Sequence, residues 1–266
     1  MSNNWIVDQT LSGISQFDQA MVGAYPKANA SLQSARDYLG TIGGVCNYIA
    51  AAEHVDWGHC LPPSAKVLDI GCGGGWLTAM LSRYDAVQTI YALDSSRHFL
   101  HSLLPQVMEL MQGCSEKLVT IEGLFQPLLF EDGHLDVVVA SSALHHADNL
   151  ESVLREIRRT LKPGGMLLVL NETPWPGYRH LLSVAAAAFR IVKNLSLQRY
   201  QTVSQSISSS GYLYDPKLGD RDYPLWYWKK ALECAGFSIK SVVDTGMPTV
   251  KNSKGRPLIH FICRAI

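Results

Sequence analysis

The sequence has no net charge, no closely paired cysteines and no long uninterrupted apolar segment. Its 23 Lys and Arg residues balance 23 Asp and Glu residues, so no overall field favours nucleic acid or an acidic membrane surface. The six cysteines are scattered, and none forms the two-residue spacing of a redox motif or a zinc knuckle. We therefore expect free thiols, no metal site and no nucleic-acid partner.

Targeting and membrane-spanning signals are also missing. The first residues, Met-Ser-Asn-Asn-Trp, lack the basic region and apolar stretch of a signal peptide. The most apolar segment, 181–197, is interrupted by Arg190 and Lys193, and it is shorter than the roughly 20 residues that cross a bilayer. These absences predict a cytoplasmic protein without a membrane span.

What the sequence does contain is an alternation of apolar strands and amphipathic helices. The strand segments are continuously apolar, which predicts a mostly parallel sheet with helices on both faces. Two further strands near the end are joined by a polar loop that allows a hairpin, so the final strand should be antiparallel. The seven predicted strands are KVLDI, TIYALD, KLVTIEG, LDVVVAS, MLLVLNE, SIKSVVD and PLIHFICRA.

The chain therefore predicts one doubly wound, Rossmann-like α/β domain with two additions. Residues 1–63 predict an N-terminal helical cap, and residues 64–173 the cofactor-binding core. Residues 174–222 are far more than an ordinary connection, and we interpret them as an inserted lid, with a packing helix or a dimer contact as the alternative. Residues 223–266 predict the last helix and the terminal strand pair.

A glycine-rich turn, "GCGGG", follows the first predicted strand. In a doubly wound sheet, such a turn lets the backbone approach a nucleotide-like cofactor at a helix N-terminus. The nicotinamide fingerprint G-x-G-x-x-G does not fit, because Trp76 follows Gly75 and the third glycine comes one residue early. Asp69, two residues before the first glycine, would repel a diphosphate and attract a cofactor that carries an amino group and a sulfonium.

Four blocks occur in order: VLDIGCGGG, YALD, LDVVVASSALHH and LREIRRTLKPGGMLLV. In these blocks the sequence resembles the class I S-adenosylmethionine-dependent methyltransferases, over roughly residues 64–173. The resemblance implies S-adenosylmethionine as cofactor and S-adenosylhomocysteine as product. It also implies transfer of the methyl group by in-line displacement to a small, possibly hydrophobic organic acceptor, with oxygen favoured over nitrogen or carbon.

The resemblance also assigns cofactor contacts. Asp69 and the glycine backbone would hold the methionine end, and Asp94 would accept hydrogen bonds from the ribose hydroxyls, although a helix cap explains Asp94 equally well on its own. Relatives commonly have an acid for adenine where this chain has Leu124, so apolar contact and main-chain groups would replace it. The expected cofactor-binding residues are Asp69, Gly71, Cys72, Gly73, Gly75, Asp94, Ser95, Leu124, Phe125, Ala140 and Ser141.

His145 is the candidate catalytic base or acceptor-orienting residue, because it follows the strand that ends beside the expected sulfonium. The alternative is that His145 only braces its loop by hydrogen bonding. Tyr25, His146 and Trp175 are candidate substrate-binding residues.

Two other functions stay open at this point. One is a non-catalytic adenosyl-cofactor-binding protein of the same fold, which Leu124 keeps in view, and the other is a nicotinamide-dependent oxidoreductase. The expected oligomeric state is a monomer or a homodimer, with a small molecule as substrate.

Overall fold

The computed structural model describes residues 2–5, 31–147, 149–175, 185, 221 and 223–266. These residues contain one sheet of eight strands. The strands are β1 (Ser2–Asn4), β2 (Ala65–Ile70), β3 (Val87–Asp94), β4 (Leu118–Glu122), β5 (Leu135–Ser141), β6 (Leu161–Glu172), β7 (Phe237–Pro248) and β8 (Pro257–Ala265).

Helices connect the strands and cover the sheet. The α-helices in the described residues are α1 (Leu32–Leu39), α2 (Tyr48–Ala52), α3 (Trp57–Cys60), α4 (Trp76–Ser82), α5 (Leu104–Leu110), α6 (Leu150–Thr160) and α7 (Leu225–Cys234). Two wider π-helical segments, Gly40–Val45 and Phe99–Leu103, follow α1 and precede α5. None of these helices is long and apolar enough to span a bilayer.

The sheet has the order β1-β4-β3-β2-β5-β6-β8-β7. Its strands are parallel except β8, which is antiparallel to both β6 and β7. The predicted fold class is thereby confirmed, including the antiparallel final strand. The chain order reverses direction at β2, which pairs with β3 on one side and β5 on the other. A doubly wound sheet binds its ligand at such a reversal, beyond the carboxyl ends of the strands.

Both faces of the sheet are buried, which explains the continuously apolar strands. In β2, Val67 packs into the core beneath α4 and α5, whereas Leu68 packs into the core beneath α6 and α7. Because successive side chains of a strand point to opposite faces, a strand buried on both sides alternates between two cores rather than between core and solvent.

Local signals in the sequence account for the helix that follows β5. Leu150, Val153, Leu154 and Ile157 are all buried on one face of α6. The Asn149 side chain accepts the Ser152 N–H at 3.0 Å and so caps the helix.

The N-terminal segment differs from its prediction at one place. Ser2–Asn4 forms the edge strand β1, parallel to β4, where the sequence predicted part of a helical cap that covers residues 1–63. Three residues are too few for a periodic pattern, so the pairing depends on β4 offering an open edge. Tyr25 and most of the segment 174–222 lie outside the described residues.

Candidate active site

The glycine turn between β2 and α4 is built by packing as well as by backbone conformation. Gly71, Gly73 and Gly75 have φ values of 70°, 52° and 81°. A Cβ atom on Gly75 would lie 1.9 Å from Leu104 Cδ1, so this position requires a residue without a side chain. A Cβ on Gly73 would approach no side-chain atom closer than 3.9 Å. At Gly73, only the left-handed backbone favours glycine, and space for a ligand remains beside this part of the turn.

Asp94, the last residue of β3, holds the glycine turn in place. Its Oδ2 accepts the Gly73 N–H at 2.8 Å, and its Oδ1 accepts the Ser96 N–H at 2.8 Å. The carboxylate thus caps the following turn, in agreement with the alternative interpretation of Asp94 as a helix cap. Each carboxylate oxygen can accept more than one hydrogen bond, so the cap does not prevent Asp94 from binding a diol.

Asp69, near the end of β2, is a buried carboxyl behind the turn. It is only 1% exposed, and its Oδ2 accepts the Thr78 hydroxyl at 2.6 Å. Burial raises the pKa of Asp69 to about 7, and the neighbouring Asp94 adds to the rise while the Thr78 hydrogen bond opposes it. Near neutral pH this group is therefore poised to ionise when a cation comes close.

Two aromatic rings lie against the glycine turn. Phe125, which was expected beside the adenine, has its Cε1 atom 3.2 Å from the position of a Cβ on Gly71. Tyr38 of α1 covers the other side, with its Cζ 2.6 Å from a Cβ on Gly74. Sequence analysis missed Tyr38, because nothing in a helix sequence shows which distant turn one of its buried residues will contact.

Relatives commonly have an acid for adenine at the position of Leu124, and the nearby Glu122 does not take its place. Glu122 is paired in register with Asp94 on the adjacent strand and is 4% exposed. Its Oε2 lies 3.3 Å from Arg97 Nε, and its Oε1 hydrogen-bonds to His101. Gln126, two residues after Leu124, is exposed and accepts the Ser152 hydroxyl. Apolar contact by Leu124 and Phe125 therefore stays the prediction for this subsite.

A second polar group of residues lies at the carboxyl ends of β5 and β6. Asn171 Nδ2 donates to Ser141 Oγ at 2.9 Å and to the Tyr48 carbonyl at 3.3 Å. The Tyr48 hydroxyl is 3.2 Å from Ser142 Oγ. Helix α2 is thereby attached to the end of the sheet. It lies beside the buried Ala140 and the half-buried Ser141, which were predicted to lie near the sulfonium.

His145 is paired with a carboxylate that the sequence analysis did not single out. Its Nδ1 is 2.8 Å from Glu172 Oε2, and the two side chains are 19% and 2% exposed. A neutral imidazole that donates Nδ1–H to the Glu172 carboxylate has Nε2 as its acceptor nitrogen. This tautomer is the one that a base acting through Nε2 requires. Glu172 ends the predicted strand MLLVLNE. An acid at the end of a strand was therefore the signal in the sequence that could have indicated a site residue.

The remaining substrate candidates lie close by. The ring centroid of His146 is 4.3 Å from that of His145. The Arg256 guanidinium lies 4.3 Å from the centre of the Trp175 ring, because β8 is antiparallel and returns the loop before it to this end of the sheet.

The buried His260 of β8 lies behind this polar group. Its Nδ1 accepts the Asn171 N–H at 3.1 Å, and its Nε2–H donates to the Ala51 carbonyl at 2.8 Å. Burial lowers the pKa of His260, while hydrogen bonds to the backbone at Ala51 and Ile259 oppose the shift and the electrostatic interaction with His54 adds to it. His260 is therefore a neutral structural link between α2, β6 and β8.

The residues present fit a cationic, ribose-bearing cofactor. The glycine turn leaves room at Gly73, the acid Asp94 ends β3 beside it, and Asp69 provides an ionisable carboxyl without a positive partner. A dinucleotide diphosphate would meet two carboxyls at this place. By geometry and charge, the site is therefore typical of a Rossmann-like domain that binds a sulfonium cofactor.

Comparison with known proteins identifies the family. Residues 68–169 match the family model described as "Methyltransferase domain". This part of the chain is thus a class I S-adenosylmethionine-dependent methyltransferase domain, and S-adenosylmethionine is its cofactor.

Among curated relatives, the sterol 24-C-methyltransferase ERG6A of Gibberella zeae is 29% identical over 206 residues, which make up 73% of this chain and 52% of that protein. The chain thus spans about half the length of this relative. A solved SAM-dependent methyltransferase from Aquifex aeolicus has a TM-score of 0.54 at 14% identity, with 89% of this chain and 99% of that chain covered. The geranyl diphosphate C-methyltransferase of Streptomyces coelicolor, solved with S-adenosyl-L-homocysteine, has a TM-score of 0.56 at 13% identity, with 82% and 75% covered. The last two similarities concern the fold.

Proposed function

We propose that this protein transfers the methyl group of S-adenosylmethionine to a small, largely hydrophobic acceptor, and that the preferred acceptor atom is an oxygen that loses its proton. The observation that carries the proposal is the His145–Glu172 pair, 2.8 Å apart, at the carboxyl ends of β5 and β6. The glycine turn follows β2, the strand next to β5. Cofactor and base thus lie at the same edge of the sheet.

Residues of the chain divide the work of holding the cofactor, which supplies an electrophilic methyl group on a sulfonium ion. Asp94 would bind the ribose hydroxyls, while the turn from Gly71 to Gly75 and the ionised Asp69 would hold the methionine end. Phe125 and Leu124 would pack against the adenine. Alignment of acceptor and methyl group by these contacts can supply on the order of 7–11 kcal/mol of the rate enhancement.

His145 would manage the proton of the acceptor. Its Nε2 would take the proton of the acceptor hydroxyl, and the electron pair of that O–H bond would remain on the oxygen, which forms the new bond to the methyl carbon. The electron pair of the methyl–sulfur bond would stay on the sulfur, and S-adenosylhomocysteine would leave. The imidazolium then carries one positive charge, which the Glu172 carboxylate stabilises through Nδ1. Such a base contributes typically 10²–10⁴-fold to a rate.

The chemical class of the acceptor is proposed from the relatives. The name of the Gibberella zeae protein states methylation of a carbon of a sterol, which supports a hydrophobic acceptor and makes carbon methylation the second candidate. The His–Glu pair also serves that reaction, because a methylated alkene must lose a proton. All six cysteines are free thiols, consistent with the reducing cytoplasm that we propose as the location.

Calorimetric titration with S-adenosylmethionine, S-adenosylhomocysteine and NADH tests the proposal first, after mass spectrometry has excluded a carried-over ligand. We expect the two adenosyl compounds to bind and NADH not to bind. Failure of both adenosyl compounds to bind would favour a protein of this fold that has lost its cofactor site.

Methyl transfer from labelled S-adenosylmethionine to a panel of apolar alcohols, amines and alkenes then identifies the acceptor. His145→Gln should lower kcat about 10²–10⁴-fold and remove the acidic limb of its pH profile. His59→Gln, an exposed histidine, is the matched control. An unchanged kcat in His145→Gln would return His145 to a bracing role.

A further inference from the structure

Two consecutive residues at the end of β6 each carry one buried side-chain oxygen that has no hydrogen-bond partner in the part of the chain that the structure describes. Asn171 is 1% exposed and Glu172 is 2% exposed. Among the residues that the structure describes, Asn171 Oδ1 and Glu172 Oε1 are buried acceptors without a hydrogen-bond partner. Most buried polar atoms in folded proteins are paired, because burial without a partner is costly. Two such acceptors in adjacent residues therefore need an explanation.

The other polar atoms of the same two side chains are fully engaged. Asn171 Nδ2 donates to Ser141 Oγ and to the Tyr48 carbonyl, which fixes the orientation of the amide and leaves its oxygen as the unpaired end. Glu172 Oε2 is bonded to His145, which likewise fixes Oε1. Both unpaired atoms accept hydrogen bonds, and both are held rigidly.

We propose that Asn171 Oδ1 and Glu172 Oε1 form a subsite for a hydrogen-bond donor of the methyl acceptor, a hydroxyl or a protonated amine. This inference rests on the proposed function and specifies its substrate class. The acceptor is then amphipathic: an apolar body carries the atom to be methylated and, within a few bonds of it, a separate donor group. The two groups are close because Glu172 serves both, with Oε2 supporting the base and Oε1 binding the donor.

The subsite also gives Glu172 a role in specificity besides that of positioning His145. A hydrocarbon bound at this place would leave both oxygens buried and unpaired, so the site discriminates against it. An acceptor with the donor group satisfies both oxygens and is held in one orientation.

Three probes of equal chain length test the subsite by calorimetry on protein saturated with S-adenosylhomocysteine: 1-octanol, 1,2-octanediol and 2-amino-1-octanol. We expect at least one of the two probes with a second donor to bind about tenfold more tightly than 1-octanol, as one hydrogen bond to a charged group provides. A preference for the diol indicates a hydroxyl, and a preference for the amino alcohol indicates an ammonium group.

Two variants assign the preference to these atoms. Asn171→Gly removes Oδ1 and accommodates the left-handed backbone at this position (φ 58°), and Gln112→Gly (φ 54°) is the control at an exposed site far from the subsite. Glu172→Gln keeps an oxygen toward His145 and places an N–H donor where Oε1 was. Each subsite variant should lose most of the tenfold preference, and the control should retain it.

Several results would overturn the inference. They are equal binding of the three probes, no binding of any of them, or an unchanged preference in both folded subsite variants. Binding of S-adenosylhomocysteine is measured first, so its failure counts against the proposed function. Normal binding of S-adenosylhomocysteine without a donor preference counts against this subsite alone.

Discussion

The two ends of the site are built differently. At the cofactor end, both oxygens of Asp94 accept backbone N–H groups and Asp69 accepts the Thr78 hydroxyl. At the acceptor end, Asn171 and Glu172 each keep one buried oxygen without a partner among the described residues. At the cofactor end, the protein itself supplies hydrogen-bond donors to the carboxyl oxygens. At the acceptor end, the two unpaired oxygens await a donor from the bound acceptor.

This difference indicates which end of the site tolerates substitutions and which end selects among ligands. Tight packing around the glycine turn preorganises a cofactor site, which lowers the cost of binding but tolerates few substitutions. The unpaired acceptors at the end of β6 cost stability and select among ligands instead. Three variants of the cofactor end sharpen this comparison, and they follow from the largest expected effect to the smallest.

The largest effect is expected for Gly75→Ala. The new Cβ would meet Leu104 Cδ1 at 1.9 Å, and φ is 81°, so overpacking and backbone strain should together cost about 3–4 kcal/mol of unfolding free energy. Urea denaturation measures this cost. Gly164→Ala is the matched control, because φ is 76° and nothing lies within 4 Å of its Cβ, and it should cost about 1 kcal/mol. Equal costs for the two variants would show that packing at the turn is loose.

Asp94→Ala should weaken cofactor binding by roughly 1.5–3 kcal/mol, because it removes hydrogen bonds to a charged group. Calorimetry with S-adenosylhomocysteine measures the loss. Asp244→Ala is the control, since Asp244 accepts the Gly246 N–H at 2.9 Å in a similar local turn, at an exposed irregularity of β7. If folded Asp94→Ala bound as tightly as the control, Asp94 would be a cap and nothing more.

Asp69→Asn should stabilise the ligand-free protein and weaken cofactor binding at the same time. Burial raises the pKa of Asp69 in the folded protein from its ordinary value of 3.8 to about 7. The contribution of Asp69 to stability is therefore fully present below pH 4 and is lost as the pH rises toward 7. A pKa rise of about three units corresponds to roughly 4 kcal/mol. The buried amide N–H group of Asn should offset about 2 kcal/mol of this, because it gains no partner, so the net rise in the unfolding free energy at pH 8 should be about 2 kcal/mol.

Thermal and urea unfolding between pH 4 and pH 8 measure this pH dependence. The difference between Asp69→Asn and the unmodified protein should grow with pH and level off above pH 7. Cofactor affinity of the unmodified protein should rise over the same range, since ionised Asp69 attracts the cation. A stability difference that does not change with pH would mean that Asp69 keeps an ordinary pKa.

Most of the fold could be predicted from the sequence, because continuous apolar strands and capped amphipathic helices are local patterns. The sheet class and the antiparallel last strand were confirmed in this way. The edge strand Ser2–Asn4 was missed, because three polar residues carry no period and depend on a partner strand more than a hundred residues away.

The cofactor end was also accessible from local patterns, since a glycine turn and the acids Asp69 and Asp94 lie within about thirty residues of one another. The partnership of His145 with Glu172 and the contact of Tyr38 with the turn were not accessible. Both join residues from separate elements, and the contacts depend on how those elements pack rather than on any spacing along the chain. The roles of the individual site residues remain predictions.

The buried imidazole of His260 has a practical consequence. Its Nε2–H is shielded from water and bonded to the Ala51 carbonyl, while its Nδ1 receives the Asn171 N–H. Such a proton exchanges slowly with solvent, so the ring nitrogens should give resolved signals in nitrogen-15 magnetic resonance spectra. Any compound that binds to Asn171 and alters the hydrogen bond of its N–H group should shift the Nδ1 resonance of His260. The fold thus contains an internal reporter for screening compounds at the acceptor end, without a label at the site.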